Sequence, residues 1–146
     1  MFISAEELFE MVKGATARGE SVSFVVNSGS MRPFLRKGDV VSLAEAREYR
    51  AGDIVLAKCG TSVVLHTVMR REGETLILAG TANIYQRERA RVADVAARVV
   101  SVERKARKPG AAPRTINAAS PLRRFLLRSW PSAPLLRRIL LRLLSL

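Results

Sequence analysis

The sequence predicts a mainly β domain with one amphipathic helix at its N-terminal end and a basic, leucine-rich helical tail at its C-terminal end. Three observations predict this architecture. A single helical pattern opens the chain, short apolar segments separated by turn residues follow it, and the excess positive charge lies at the end. A chain of 146 residues suffices for one domain with its own core, so we expect one functional site.

The first element is a helix over residues 4–18. Ser4 and Glu7 have the spacing of a capping box, and Gly19 follows as a stop signal. Apolar residues recur on one face of this helix: Ala5, Leu8, Phe9 and Val12. No second helix follows beside it, which argues against a helix-turn-helix DNA reader.

The middle of the chain has the pattern of short strands. β-Branched and other apolar residues recur in brief runs, over 21–26, 40–43, 54–57, 62–69, 75–79 and 98–103. Gly38-Asp39 and Gly52-Asp53 each precede one of these runs, and we assign both aspartates a structural role in turns. Short strands at this spacing predict an all-β core.

Charge divides the chain into three parts. The formal net charge is +12, yet all 13 acidic residues precede Arg104, and 11 of the 25 basic residues lie from Arg104 onward. We therefore expect a nearly neutral domain over 1–103, a Pro- and Ala-rich linker over 104–121 and a tail over 122–146. A neutral body does not favour nucleic acid as a partner.

The tail consists of two arginine-bearing apolar segments split by Pro131 and Pro134. Such a segment can lie on an anionic membrane surface with Trp130 at the interface, and the alternative is that its leucines cover an apolar face of the domain or of a partner. The N-terminus lacks the basic region of an export signal. The lone Cys59 fits a reducing compartment. We expect a cytoplasmic protein, with peripheral attachment to the inner membrane face as the hypothesis for the tail.

The segment most informative about chemistry is residues 27–33, Asn-Ser-Gly-Ser-Met-Arg-Pro, directly after an apolar run. A serine nucleophile needs a neighbouring base and donors directed at the developing oxyanion. Gly29 permits a tight backbone approach, the Ser30 amide can point at an oxyanion, and Ser28 adds a hydroxyl. Taken alone, Ser-Gly-Ser is also an ordinary polar turn.

The longer string SGSMRPFLRKGD resembles the nucleophile box of the signal peptidase I and LexA-type serine peptidases. The matching elements are Ser30, Met31, Pro33, Gly38 and Asp39. The resemblance continues through Gly-Asp before IVLAK, then VVLHTV and LILAGTAN, over roughly residues 20–103. It implies a peptidase fold with Ser30 as the nucleophile, and Ser28 and Met31 as residues that position the oxyanion or the substrate.

The resemblance also places His66 in the base position. Bacterial-type members use lysine there, whereas archaeal, endoplasmic-reticulum and sporulation-associated signal peptidases use histidine. His66 is the chain's one histidine, and an imidazole can accept a serine proton at neutral pH. The alternative is a hydrogen-bonded strand histidine. Lys58, a rival base, and Lys37 are interpreted as solvated side chains.

Two features of the family pattern are missing. Members with a histidine base commonly have Arg directly after it, where this chain has Thr67. Where members with a histidine base have Gly-Asp-x-Asn, this chain has Gly80-Thr81-Ala82-Asn83, without an acid. Asp94 is the nearest downstream candidate, although a solvent-facing role before the last strand is the favoured interpretation. We therefore expect no carboxylate to orient His66 in the position that the family normally fills, and a weak Ser-His dyad as a result.

The sequence predicts a serine endopeptidase that cleaves a peptide or leader sequence, and no cofactor or metal site. Small proteins that this chain resembles accompany peptide-modification systems, which implies a precursor peptide as substrate. The alternative from another class is a catalytically degenerate module of the same fold that binds peptides or docks on membranes.

Overall fold

The computed structural model describes residues 4–106, 108–118, 122, 123 and 126, and of Ile84 the backbone alone. Within residues 4–106 and 108–118 it contains one α-helix, one 3-10 turn over Val92–Asp94 and eight strands. The helix is α1 (Ala5–Ala17). The strands are β1 (Val22–Val25), β2 (Val40–Ala44), β3 (Ile54–Cys59), β4 (Ser62–Glu72), β5 (Thr75–Gly80), β6 (Asn83–Arg91), β7 (Val95–Arg104) and β8 (Arg114–Asn117).

The strands form one curled antiparallel sheet in the order β1-β2-β7-β3-β4-β5-β6, with β8 paired to β7. The long strand β7 is central, because its residues 98–103 pair with β2 while its start pairs with β3 and its end with β8. Register shifts interrupt the ladders at Ser42/Leu43, Leu56/Ala57, Val68/Arg70 and Ala79/Gly80. Such irregularities increase strand bending and allow the sheet to curl around a core.

Helix α1 begins at the predicted cap, since the Ser4 Oγ accepts a hydrogen bond from the Glu7 amide at 3.1 Å. Phe9 and Val12 face the sheet, with 2% and 0% of their surface exposed. Thr16 fixes the other end of the helix because its Oγ1 donates to the carbonyl oxygens of Val12, at 2.8 Å, and of Ala96 on β7, at 3.2 Å. The helix is thus part of the domain core.

The interior consists of two apolar clusters. The larger one joins α1 to β2, β3, β7 and the segment after Ser30, and includes Phe9, Met31, Leu35, Leu43 and Val102. The smaller one lies among β3, β4, β5 and β6 around Val55, Val68, Leu76 and Leu78. The candidate base His66 is on β4, so it lies on a strand that both clusters hold in place.

Both predicted Gly-Asp turns have the same construction. The Asp39 Oδ2 accepts from the Arg36 amide at 2.9 Å, and the Asp53 Oδ2 accepts from the Arg50 amide at 2.8 Å. The glycine before each aspartate has a positive φ, 92° at Gly38 and 94° at Gly52, which an L side chain rarely adopts. Both aspartates are buried, and these contacts agree with structural roles.

Two strands differ from the sequence prediction. β6 was not predicted, because its polar and charged residues, among them Gln86, Arg87 and Arg89, hide the alternation that marks a half-buried strand. β8 lies inside the segment 104–121 that was predicted as a linker, where it adds to β7 through Arg114–Asn117. A four-residue segment gains its strand conformation from the ladder with β7, and its own sequence gives little sign of it.

Most of the tail, including its predicted helix, lies outside the described residues. Of the part that is described, Leu126 packs against the larger apolar cluster and Leu122 is exposed. Among the described residues, no helix is long and apolar enough to cross a membrane.

Candidate active site

Ser30 lies in the loop that connects β1 to the turn at Asp39. Its Oγ shares a hydrogen bond with the Ser28 Oγ at 3.2 Å, and its amide points at the same Ser28 oxygen at 3.4 Å. Both serines are accessible, Ser28 more so than Ser30. The predicted nucleophile and the predicted oxyanion donor are therefore direct neighbours.

Three hydrogen bonds hold the loop that contains Ser30 in place. Met31 is only 2% exposed, and its sulfur accepts a hydrogen bond from the Thr67 Oγ1 at 3.6 Å. The Thr81 Oγ1 donates to the Arg32 carbonyl oxygen at 2.8 Å, and the Ala82 amide donates to the Ser30 carbonyl oxygen at 3.1 Å. Met31 thus holds the loop from within the core, where its side chain is buried.

His66 is directly opposite Val55 on β3, and its side chain is 12% exposed. Its Nδ1 lies 2.9 Å from the Oε2 of Glu88, whose side chain is 22% exposed. An ionised carboxylate only accepts hydrogen bonds, so Nδ1 carries the hydrogen. In a neutral imidazole the lone pair then remains on Nε2, which is the state that a general base requires.

The GTAN segment supplies no carboxylate to His66, but Glu88 does, so the interpretation of His66 as a base without an orienting acid is wrong. Glu88 belongs to β6, two strands away from β4, and the register connects them: Val68 pairs with Leu78, and Leu78 pairs with Glu88. Directly paired residues share a face of the sheet, as do residues two apart on one strand. His66 and Glu88 consequently project from the same face, a relationship that the hairpin registers reveal and the sequence boxes do not.

Gly80 lies beside both the serine loop and the imidazole. A Cβ atom built at this position would overlap the Ser30 carbonyl oxygen and would lie 3.2 Å from the His66 Nε2. The backbone of Gly80 is therefore in close contact with both candidate catalytic residues. The Nε2 atom, which carries the lone pair, faces the side of the site where Ser30 lies.

Ser30 and His66 line the same cavity of about 400 Å³. Its wall is mostly apolar and includes side chains from α1, β1, β3 and β4, among them Leu8, Phe24, Leu56, Val63 and Leu65. Ser30 and His66 make no direct hydrogen bond in the described part of the chain, since the Ser30 Oγ bonds to Ser28. Proton transfer would require a reorientation of the serine side chain or a substrate that draws the two together.

The remaining candidates lie elsewhere. Asp94 follows β6 in the 3-10 turn and pairs with Arg91 at 3.5 Å, so it does not contact His66. The Lys58 Nζ binds the Glu6 Oε1 at 2.8 Å and lies 5.6 Å from the centroid of the Phe9 ring. The hydrogen bond to Glu6 raises the pKa of Lys58, which disfavours it as a base at neutral pH. Lys58 is thus paired to the helix, where the sequence interpretation had it solvated, and Lys37 is exposed as expected.

The cavity lies beside backbone that can accept another strand. Residues 63–66 of β4 pair with β3 on one side, whereas the ladder with β5 begins only at Thr67. β1 stands at the end of the sheet order, with its ladder to β2 on one side. Both β1 and this part of β4 contribute residues to the cavity wall.

Comparison with known proteins identifies the family of this chain. A family model described as Peptidase S24-like matches residues 4–100, from α1 to the middle of β7. A search of curated proteins found no match to the chain. The matched residues include Ser28, Ser30, His66 and Glu88, and the resemblance to the LexA and signal peptidase type is confirmed. The chain belongs to the Peptidase S24-like family, and so to the LexA and signal peptidase-like superfamily of peptidase folds.

Proposed function

We propose that this chain is a serine endopeptidase in which Ser30 is the nucleophile, His66 the general base and Glu88 the residue that orients His66. The observation that carries the proposal is the Glu88–His66 hydrogen bond at 2.9 Å, next to a cavity shared by His66 and Ser30. A nucleophile, a base and a carboxylate in this order have the roles of a serine peptidase triad.

The reaction would proceed by acyl transfer. The Ser30 Oγ attacks the carbonyl carbon of the scissile bond, and its proton moves to the His66 Nε2. The protonated imidazole then gives that proton to the leaving amide nitrogen as the C–N bond breaks. Water, deprotonated by the same Nε2, hydrolyses the acyl-enzyme and restores Ser30.

Two donors are available for the negative oxygen of the tetrahedral intermediate. The Ser30 amide and the Ser28 hydroxyl lie on the same side of the loop. There the amide donates a long hydrogen bond of 3.4 Å to the Ser28 Oγ. An oxyanion is a stronger acceptor than a hydroxyl, so the Ser30 amide would turn its hydrogen bond to the substrate. Donors fixed before the reaction stabilise the transition state most.

The substrate would be an extended peptide. Among the described residues, β1 and residues 63–66 of β4 each have a strand partner on one side alone. This supports strand addition, in which main-chain hydrogen bonds hold the peptide and pockets select its side chains. The apolar cavity wall favours a peptide with apolar residues near the scissile bond. A precursor or leader peptide of an intracellular modification system fits this description.

A covalent probe tests the proposal. The folded protein is treated with a serine-directed acylating reagent, and the labelled residue is identified by mass spectrometry. We expect label on Ser30, loss of label in Ser30→Ala, and strongly reduced label in His66→Ala. A folded protein that binds apolar extended peptides but neither takes up label at Ser30 nor cleaves them would instead be a peptide-docking module of this fold.

A further inference from the structure

A second cavity lies away from the candidate active site. It has a volume of about 590 Å³ and is bounded by the turn before β2, the end of β7 and the start of β8. Among the described residues, six charged side chains line it, five of them basic: Arg36, Lys37, Arg104, Lys105 and Arg114, with Asp39 as the sixth. The wall of this cavity is therefore strongly positive.

The one carboxylate is already engaged. Both oxygens of Asp39 accept from the Arg104 guanidinium, at 3.1 and 2.9 Å, and Oδ2 also accepts from the Arg36 amide. The Arg104 and Asp39 side chains are 13% and 3% exposed. Asp39 thus neutralises Arg104 and leaves the other four basic side chains of the cavity without compensation from it.

The segment after β7 carries no Asp or Glu that could pair with Lys37, Lys105 or Arg114. Every Asp and Glu precedes Arg104 in the sequence, so no carboxylate side chain from the segment after β7 can enter the cavity. Among the described residues, Lys37, Lys105 and Arg114 form no ion pair within 4.0 Å. The positive charge of the cavity therefore follows from the distribution of acidic residues along the sequence.

The fold also brings like charges together. Arg104 and Arg114 are direct partners in the β7–β8 ladder, a placement that destabilises a strand pair. Arg123 is partly buried nearby, and its pKa is lowered first by burial and then by the positive charges of Arg104 and Arg114. An anion between these groups would relieve both effects.

We propose that this basic cavity binds the phosphate group of an anionic phospholipid headgroup. Arginine guanidinium groups bind phosphate oxygens in pairs of hydrogen bonds, and lysine adds a point charge. A compact cavity suits one phosphate, whereas duplex nucleic acid requires positive charge along several phosphates. Arg123, at the start of residues 122–146, interacts with charged groups of the cavity, and that segment is rich in leucine and arginine. Stable membrane attachment takes two such signals.

Binding of the full-length chain to vesicles tests the proposal. One variant carries Lys105→Gln and Arg114→Gln, and a matched control carries Arg47→Gln and Arg87→Gln, which remove the same charge from exposed positions outside this cavity. Partition is measured on vesicles of equimolar phosphatidylcholine and phosphatidylglycerol. We expect the cavity variant to lose on the order of tenfold in partition and the control to lose much less. Calorimetry with inorganic phosphate should show a site in the wild type that the cavity variant lacks.

Each alternative gives a different result. Equal losses in the two variants would overturn the site in favour of diffuse attraction. If the cavity bound inorganic phosphate but the cavity variant partitioned to vesicles like the wild type, the lipid assignment would be overturned. Binding of duplex DNA by the wild type and the control, lost in the cavity variant, would overturn it as well. Both variants are compared with the wild type by thermal unfolding, and the single substitution Lys105→Gln replaces the pair should the double variant unfold.

Discussion

The Nδ1 of His66 and the Oε2 of Glu88 are 2.9 Å apart, although the two residues lie on β4 and β6 with β5 between them. The bond needs the register of two successive hairpins to be correct, because a shift of one residue would turn either side chain to the other face. The orientation of the candidate base is thus set by the sheet as a whole.

The first prediction concerns this bond. In Glu88→Gln the amide can present its nitrogen to Nδ1, which then need not carry the hydrogen, and the imidazole is free to adopt the unproductive tautomer. We expect kcat to fall by about 10²–10⁴-fold with little change in KM. Steady-state cleavage of a model peptide measures both constants.

Asp94→Asn is the matched control, since Asp94 pairs with Arg91 and not with the imidazole. It should retain activity close to that of the wild type. If Asp94→Asn abolished cleavage while Glu88→Gln had no effect, Asp94 and not Glu88 would orient the base.

A second prediction contrasts two glycines. In Gly80→Ala the new methyl group would overlap the Ser30 carbonyl oxygen and crowd the His66 Nε2. The serine loop or the imidazole must then move, so we expect activity to be lost and the free energy of unfolding to fall by about 1–3 kcal/mol. Urea denaturation and peptide cleavage measure the two effects.

Gly14→Ala should do the opposite. A Cβ atom at Gly14, inside α1, would meet only the flexible Arg18 side chain at 3.6 Å, and alanine favours the helix by about 0.5–1 kcal/mol. We expect higher stability and unchanged cleavage. Loss of stability in Gly14→Ala would show that helix packing at this position is tighter than the contacts indicate.

The third prediction concerns Arg104 and Asp39. Arg104→Met removes the cation that pairs with a carboxylate only 3% exposed, and an uncompensated buried charge costs about 3–5 kcal/mol. Urea denaturation should show a loss of this size. Arg91→Met removes a largely exposed partner of Asp94, and it should change stability by less than about 1 kcal/mol. Similar losses in both variants would mean that Asp39 is more hydrated than its contacts indicate.

The fourth prediction concerns Cys59. Burial, followed by the negative charges of Glu88 and Asp94, raises the pKa of the Cys59 thiol to about 11. The thiolate is the reactive form, so at pH 8 the folded protein should react with iodoacetamide about a hundredfold more slowly than a free thiol of ordinary pKa near 8.5. Denaturation in urea should restore the fast rate, and the rate in the folded protein should rise as the pH approaches 11. A fast reaction at pH 8 in the folded state would contradict a raised pKa of this partly buried thiol.

Local features of this protein could be predicted from the sequence because their causes are local. The capping of α1 by Ser4, the turns at Gly38-Asp39 and Gly52-Asp53, and most of the strands depend on residues a few positions apart. The order of the boxes around Ser30 and His66 also predicted the family correctly. These predictions depend on residue type and on spacing along the chain.

The partners that meet across the sheet were decided by the tertiary structure alone. Glu88 lies on a strand whose charged pattern gave no sign of burial on one face, and it reaches His66 through the registers of β4, β5 and β6. The acid that contacts His66 therefore lies beyond the GTAN segment, farther along β6. In the same way, β8 exists because β7 offers it a ladder, which brings Arg114 beside Arg104. The sequence determines each strand's pattern, but only the packed sheet determines which residues become neighbours, since those contacts join positions far apart in the chain.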